Sequence, residues 1–558
     1  MRAESTAGAA QRAASRLLAL DTRLVVGTAI VLQWLLTLGI ALVVRHHGWI
    51  WYQGGDQLWY YTGGWLLGHG ILPQPLVGYL WTLVMTPISW VAGPNLANAY
   101  PAIVLLDVVV LLPVELLAFY GLARLIGGRL FAYWALAVWL VAPLIGIRYT
   151  NHGYHQRFTE LILPQAFGLT AMADFPTLVA ALVSAYFCAR VLFSARPELV
   201  DAAAAGAAAG VAIAVKPSTA LFLAGPLLAF AVARAYRPAG MFLLALAPAA
   251  IALAVWKYRG YGYLPLLHKS AAGSVRLAAG AGGVVALHVP HYFGFDWSRF
   301  QTNLDQLREH FWSNRLIEWV IIAGAVALAR RSLRACALVA GWFLAFAFVK
   351  GGYDQAGVED SSLLRIMIPT IPAFVLLIAA LPYLLPGTTR APRREPERRL
   401  LSPGARWAAV GATVALSAVL PIAALAAASP LSGSSPRAVI IQTPLIPNGV
   451  DVGAKAVSRA RRVVLTWRSQ SPSGGPVFYH VFRTPASSSA LSCDTGAPAE
   501  RCTLDNSVDL GPTRATTFAD KPGRGTWDYR VGVSANWLDD ITQGDVYMLG
   551  RPVRVTVR

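Results

Sequence analysis

The sequence predicts a polytopic α-helical membrane protein of about eleven spans, followed by an extracytoplasmic all-β sandwich. Of the 558 residues, 56% are hydrophobic and only 13% are charged, whereas soluble domains carry roughly 25% charged residues. Long apolar segments recur up to residue 428. The C-terminal residues instead form short apolar runs between turn residues, as strands do. We therefore expect a membrane domain at 1–428, a linker at 429–458 rich in Ser and Pro, and a β-sandwich at 459–558.

The net charge of +19 comes from small arginine clusters that lie between apolar segments. No continuous basic face is visible, so the pattern follows the positive-inside rule and argues against nucleic-acid binding. The basic N-terminus precedes an apolar run that is too long for a signal peptide and lacks a small-residue cleavage site. We expect an uncleaved anchor, a cytoplasmic N-terminus and, from the Ala-, Arg- and Gly-rich composition, a bacterial plasma membrane.

Crossing a bilayer takes about 20 apolar residues, and eleven segments approach that length. With eleven crossings every basic cluster between them falls on the cytoplasmic side and the tail falls outside. The predicted spans are 24–44, 100–123, 130–147, 174–193, 200–216, 217–233, 240–256, 315–329, 335–350, 363–386 and 407–428.

Residues 75–93 are also apolar, but they are short and contain prolines. We expect them to lie along the outer surface as a juxtamembrane helix. If they crossed, every later segment would invert and the arginine clusters would lie outside.

Asp56 follows the first predicted span within an aromatic and Gly-rich segment that includes Trp59, Tyr60 and Tyr61. A carboxylate at the edge of the membrane, partly desolvated by aromatic neighbours, suits a general base that reaches a polar substrate. The alternative is an interfacial belt of aromatic residues that includes one solvated Asp.

Polar residues that are unusual for a membrane protein gather in the other predicted outer segments and at the outer ends of spans. Cations outside the membrane depart from the positive-inside rule, and Arg and Lys hold phosphate oxygens through charge-assisted hydrogen bonds. An anionic ligand is one reason for them, and binding of anionic lipid headgroups is the other. The cations are Arg148, His152, His155, Arg157, Lys216 and Arg365, and the accompanying carboxylates are Glu160 and Asp174.

The order of these motifs resembles the GT-C superfamily of integral-membrane glycosyltransferases. The similar pieces are the acidic first loop Asp56–Pro73, Ala173-Asp-Phe-Pro176, Gly210 to Lys216-Pro217, and Arg365-Ile-Met-Ile-Pro369. The resemblance implies a polyprenyl-phosphate sugar donor and an extracytoplasmic acceptor, which is a cell-envelope glycan, a glycolipid or a protein. The closest resemblance is to actinobacterial polyprenyl-phosphate-mannose or -arabinose transferases.

Within this resemblance Asp56 is the general base of an inverting displacement, and Asp174 is a second catalytic candidate. The six cations are candidate ligands of the donor phosphate, and Trp59, Tyr60, Tyr61 and Glu160 line the substrate. Several families have two adjacent acidic residues in the first loop, whereas Gln57 follows Asp56 here. We therefore expect no cofactor and no Cys/His metal site, with a divalent metal left open.

Two other functions fit the same spans. A transporter or flippase of lipid-linked glycans would share the cationic lining, but it would more often show internal repeats or matching broken helices. A catalytically inactive scaffold that displays the sandwich would not need Asp56.

The tail resembles a fibronectin type III module. Trp467 matches the core tryptophan of an early strand, and Thr517–Asp520 leading to Gly525 and Tyr529 resembles the family's Asp-turn-Gly-x-x-Tyr signature, with one more residue between the Gly and the Tyr. Such modules bind or space, so we place no chemistry there. Because the tail is predicted to be extracytoplasmic, Cys493 and Cys502 are a candidate disulfide.

Overall fold

The computed structural model describes most of the helical part of the chain and the strands of the tail. The described residues are 15, 17–43, 55–68, 70–72, 78–92, 96–194, 197–261, 264, 295–353, 356–359, 362–386, 388, 402–430, 446–447, 452–459, 461–468, 478–487, 491–493, 502–504, 508–513, 515–534 and 547–558.

Together with the 3₁₀ and π-helical turns beside them, the helices of the described residues occupy all of the predicted spans, with ends that agree to within five residues. They are α1 Thr22–Val43, α2 Gly55–Gly68, α3 Tyr79–Ala92, α4 Leu96–Leu105, α5 Leu112–Gly127, α6 Arg129–Gly146, α7 His155–Leu161, α8 Asp174–Phe193, α9 Leu199–Val215, α10 Ala224–Val232, α11 Tyr236–Tyr261, α12 Trp297–His310, α13 Leu316–Arg331, α14 Leu333–Gly351, α15 Ser362–Met367, α16 Ile371–Ala380, α17 Pro403–Val414 and α18 Leu420–Ala427.

Eight helical stretches of the described residues are long and apolar enough to cross a membrane, so this is a multi-pass membrane protein. Other predicted spans form shorter helices, such as α9 with 17 residues and α13 with 16. The number of crossings remains a prediction. The eight stretches are Thr22–Val43, Ala99–Gly127, Arg129–Tyr149, Asp174–Phe193, Tyr236–Arg259, Leu333–Gly351, Ser362–Leu384 and Pro403–Ala427.

The chain divides into two compact units. Unit 1 comprises Met1–Arg45, Val104–Ala252 and Tyr292–Val419, and unit 2 comprises His46–Ile103, Leu253–His291 and Leu420–Arg558. The predicted domain boundary at 428 follows the last helix, whereas the boundary at 458 falls within the strand Lys455–Arg459; both remain predictions.

Unit 1 is a helical bundle in which small residues allow close packing. Helix α9 is almost entirely Ala, Gly and Val, and nearly all of it is buried. A Cβ at Gly206 would lie 2.0 Å from the carbonyl oxygen of Phe242 on α11, so only glycine fits there. Interfaces of small residues are typical of membrane helices, because backbones can then approach closely. This packing positions α9, whose last residue directly precedes the candidate site residue Lys216.

Unit 2 contains a pair of short helices and the strands of the tail. Helices α2 and α3 pack closely, since a Cβ at Gly64 would lie 2.7 Å from Met85. Helix α3 has 14 residues and covers most of the predicted juxtamembrane segment. Strand β1, Ile71–Leu72, pairs in parallel with β2, Ser429–Pro430.

The tail forms two main sheets that share one core. The smaller sheet has the order β10-β5-β4, and the larger has the order β3-β12-β11-β6-β9 with β13 beside β11. Their strands are β3 Ile446–Pro447, β4 Lys455–Arg459, β5 Arg462–Thr466, β6 Phe478–Pro485, β9 Val508–Thr513, β10 Thr517–Asp520, β11 Gly525–Ser534, β12 Tyr547–Leu549 and β13 Val553–Val557. Alternate residues of β5, β6, β11 and β13 fill the core around Trp467, as expected for a sandwich.

One polar contact joins the two sheets of the tail. The Tyr529 hydroxyl on β11 donates to Asp520 on β10 at 2.7 Å, and Arg483 on β6 contacts the same oxygen at 2.7 Å. Burial and the nearby carboxylate raise the pKa of Tyr529, so the phenol stays neutral. Trp467, Asp520 and Tyr529 are the residues that suggested a fibronectin type III module, and this family assignment remains a prediction.

A separate hairpin of β7 Leu491–Cys493 and β8 Cys502–Leu504 places Cys493 directly opposite Cys502. Residues opposite each other in an antiparallel pair have Cα atoms about 4.5–5.5 Å apart, which suits a disulfide. The two side chains lie outside the described residues, so the disulfide remains a prediction that the register supports.

Candidate functional site

Asp174 and Lys216 form an ion pair within unit 1. Asp174 is the first residue of α8, and Lys216 follows the last residue of α9. Pro217 cannot continue the helix, so Lys216 takes an extended conformation with φ −140° and ψ 105°. The Lys216 ammonium donates to Asp174 Oδ1. Both side chains are largely buried, with relative exposures of 16% and 6%, so each charge needs the other.

Arg365 lies beside the same turn. It belongs to α15, and one of its terminal nitrogens is 3.9 Å from Met172 Sδ, two residues before Asp174. Two cations, Lys216 and Arg365, therefore border the segment 172–174. Ammonium and guanidinium groups hold phosphate oxygens through charge-assisted hydrogen bonds, so this segment is a candidate site for an anion such as a phosphate.

An apolar cavity of about 120 Å³ adjoins α15 in unit 1. Leu363, Leu364 and Met367 come from the helix that carries Arg365, and the other lining residues come mainly from α12, α14 and α16. The full lining is Leu161, Ile162, Phe300, Asn303, Leu304, Leu307, Trp312, Phe343, Ala347, Gly351, Leu363, Leu364, Met367, Thr370, Ile371 and Phe374. A cation and an apolar cavity on one short helix suit a ligand with an anionic head and a hydrocarbon chain.

The segment 148–161 is joined to Glu359. The Tyr154 hydroxyl donates to Glu359 at 2.7 Å, while Arg157 and His310 lie 3.8 Å and 3.5 Å from the same carboxylate. The Tyr154 ring stacks on His310 with centroids 4.1 Å apart. Partial burial and the bond to Glu359 raise the pKa of Tyr154. Arg157, a predicted phosphate ligand, is thus already paired with a carboxylate.

The remaining predicted residues of this segment lie in the same loop region of unit 1. Arg148 and His152 are exposed. The ring of His155 is 4.9 Å from that of His152 and contacts the Thr150 carbonyl at 3.1 Å. Glu160 accepts a hydrogen bond from Gln156 at 2.9 Å. These contacts organise the loop, and any role in substrate binding remains a prediction.

Asp56 is the second residue of α2 in unit 2. Its side chain and that of Trp59 lie outside the described residues, whereas Tyr60 and Tyr61 are buried. Gln57 is fully buried and accepts a hydrogen bond from the Tyr100 hydroxyl. The Gln57 side chain therefore packs within unit 2.

Three polar residues of unit 1 were missed as site candidates. Asp107 and Glu115 are fully buried carboxyls in the stretch Ala99–Gly127, and Asp107 lies in a π-helical turn at Leu106–Leu111. Acidic residues within a membrane span often mark a functional site, so Asp107 and Glu115 could have been recognised as candidates from the sequence. Asn303 is fully buried within the otherwise amphipathic α12, and no local pattern marks it. Within the described part of the chain, no group of three or more His, Cys, Asp or Glu could hold a metal ion.

Comparisons with known proteins gave one similar structure. No protein-family model matches the chain, and no curated protein matches it. It is similar to the crystal structure of ArnT from Cupriavidus metallidurans bound to undecaprenyl phosphate, at 15% identity and a TM-score of 0.38. The similarity covers 64% of this chain and 59% of the ArnT chain, so the chain spans less than two thirds of that protein.

Proposed function

We propose that this chain is a GT-C-type membrane glycosyltransferase that moves a sugar from a polyprenyl-phosphate donor to an extracytoplasmic acceptor. The observation that carries the proposal is that Lys216 and Arg365 both border the segment 172–174, while an apolar cavity adjoins α15, the helix of Arg365. A polyprenyl phosphate sugar has both features that this arrangement matches, an anionic group and a hydrocarbon chain.

In this proposal Lys216 and Arg365 hold the donor phosphate, and Asp174 orients Lys216 instead of acting as the base. Asp174 is largely buried and already accepts a hydrogen bond from the ammonium. Asp174 is therefore needed as the partner of the ammonium, which would otherwise be an unpaired buried charge. The ion pair also holds the long lysine side chain in one conformation, which reduces the entropy lost when the phosphate binds.

The cavity beside α15 takes part of the polyprenyl chain. Its volume is about 120 Å³, and a cavity of about 150 Å³ in another protein binds benzene. The cavity therefore suits one five-carbon isoprenoid unit, and the rest of the chain would extend into lipid.

The chemistry is a single displacement at the anomeric carbon. The acceptor oxygen forms the new bond to that carbon while the bond from the carbon to the phosphate oxygen breaks, which inverts the configuration. Asp56 accepts the proton of the acceptor hydroxyl, and the leaving polyprenyl phosphate keeps the electron pair. Lys216 and Arg365 stabilise the charge that develops on the phosphate.

Binding of polyprenyl phosphate by charge variants tests the proposal. We expect Lys216→Gln and Arg365→Gln each to weaken binding by about 1.5–3 kcal/mol, the contribution of a hydrogen bond between charged groups. Lys216→Arg, which keeps the charge and the ion pair with Asp174, should weaken binding less than Lys216→Gln.

Arg390→Gln and Arg393→Gln provide the matched controls. Both arginines belong to the predicted cytoplasmic cluster, so their replacement should leave affinity unchanged. Equal losses in both pairs of variants would show that the cations act through general membrane electrostatics, and the proposed phosphate site would be wrong.

A further inference from the structure

Helix α12 is fastened to the chain around the end of α14 by side chains that bond to backbone. Asn303 is 1% exposed, and its amide nitrogen donates to the carbonyls of Gly351 and Ala356, both at 2.8 Å. Its amide oxygen accepts from the Val358 N–H at 3.3 Å. An amide has two donors and one acceptor oxygen, so Asn303 uses both donors and its oxygen in this contact.

Two further bonds complete the contact, which we call the clasp. Arg299 Nε donates to the Ala356 carbonyl at 3.1 Å, and the Asp296 N–H donates to the Gly352 carbonyl at 2.8 Å. The clasp is thus made by Asp296, Arg299 and Asn303, which bond to the backbone of Gly351, Gly352, Ala356 and Val358. Buried backbone groups need hydrogen-bond partners of some kind. Here one side chain, Asn303, bonds to Gly351, Ala356 and Val358 at once, so it holds these three residues in a fixed arrangement.

Hydrogen bonds connect Gly357, which lies between the clasp residues Ala356 and Val358, to the first residues of the helix that carries Arg365. The Gly357 N–H donates to Ser362 Oγ at 2.8 Å, and the Leu363 N–H donates to the Gly357 carbonyl at 3.0 Å. Ser362 is the first residue of α15, the six-residue helix on which Arg365 lies.

Helix α15 is separated from α16 by a 3₁₀ turn at Ile368–Thr370, and prolines at 369 and 372 interrupt the helical hydrogen bonds there. The long stretch that follows therefore does not set the orientation of α15 through a continuous ladder of hydrogen bonds. The orientation of α15 therefore depends also on the residues that precede it, and the clasp holds those residues in place.

We propose that Asn303 is a positioning residue for the donor phosphate: through Ala356, Gly357 and Val358 it orients α15 so that Arg365 lies beside Met172 and Asp174. Asn303 touches neither phosphate nor sugar in this account. The inference rests on the proposed function, because it assigns to Asn303 the placement of a phosphate-binding cation.

A double-mutant cycle on the full-length protein in detergent tests the inference, with polyprenyl phosphate as the ligand. Asn303→Ala should lower affinity by between about tenfold and 10²-fold, since small displacements of binding groups have effects of that size. In an Arg365→Gln background the same change should have less than about a twofold further effect, because the two residues act through one interaction. Arg299→Ala, which removes a single bond of the clasp, should give a smaller loss with the same dependence on Arg365.

Thr302→Ala is the matched control. Thr302 is the neighbour of Asn303 on α12, it is exposed, and its hydroxyl bonds only to Ser298 of its own helix at 3.0 Å. Its replacement should leave affinity unchanged. If Asn303→Ala does not yield folded protein, Arg299→Ala alone decides the outcome.

Losses from Asn303→Ala or Arg299→Ala that are undiminished in the Arg365→Gln background would overturn the inference, because they would reflect general damage to the fold. Unchanged affinity in these variants would overturn it as well. If Arg365→Gln itself has no effect on binding, the phosphate site of the proposed function fails instead, so the two failures are distinguishable.

Discussion

For Lys216 the sequence predicts the position at a helix end but not the side chain that pairs with it. The Lys-Pro pair at the end of an apolar segment predicted a polar position at a helix end, and the proline explains why the helix stops there. The partner of Lys216 could not be predicted, since Asp174 is 42 residues away and the contact depends on how α8 packs against α9. Asn303 was missed for a similar reason: all of its partners lie about 50 residues further along the chain.

At Asp56 we predict that replacement by Asn abolishes sugar transfer while binding of polyprenyl phosphate persists. The amide fits the same space but accepts no proton, and loss of a general base costs about 10²–10⁴-fold in rate. Single-turnover rates with purified protein, alongside lipid-phosphate affinity, measure both quantities. Wild-type-like turnover by the variant would move the search for the base to Glu160 or Asp174.

Among the elements, apolar length was the most informative signal. Every predicted span coincides with helix, because an apolar run in a membrane has to satisfy its backbone hydrogen bonds internally. Finer features were not predictable. The 3₁₀ break after α15 follows from its prolines, but the cavity beside it arises from residues on α12, α14, α15 and α16 that only tertiary packing brings together.

The predicted topology depends on helix α3. With 14 residues it is shorter than the about 20 that a crossing needs, so we expect it to lie along the outer surface. A cysteine at Ser434 should then react with a membrane-impermeant thiol reagent in intact cells, and one at Thr389 should not. Protein without an introduced cysteine gives the background. The reverse labelling would place the tail in the cytoplasm and contradict the assignment of Asp56 to the outer face.

At the scale of the whole molecule, a helical membrane protein with a C-terminal β region is what the composition predicted. The sequence did not predict the two compact units, in which residues 46–103 group with the tail and the bundle is assembled from three separate stretches. Such grouping depends on contacts between distant parts of the chain, whereas composition and periodicity report only local preferences. The acceptor and the sugar depend on surface shape in the same way, so the proposed function specifies the donor class and the reaction type.

Turnover of a polyprenyl-phosphate sugar by the purified full-length protein tests the central claim most directly. We predict that wild-type protein releases polyprenyl phosphate by transfer to an envelope glycan acceptor, or by slow hydrolysis of the donor when no acceptor is present. Arg365→Gln should need more donor to reach the same rate. A protein that binds the donor and moves it across liposome membranes without ever cleaving the sugar–phosphate bond would contradict the account, and would identify a flippase of lipid-linked sugars instead.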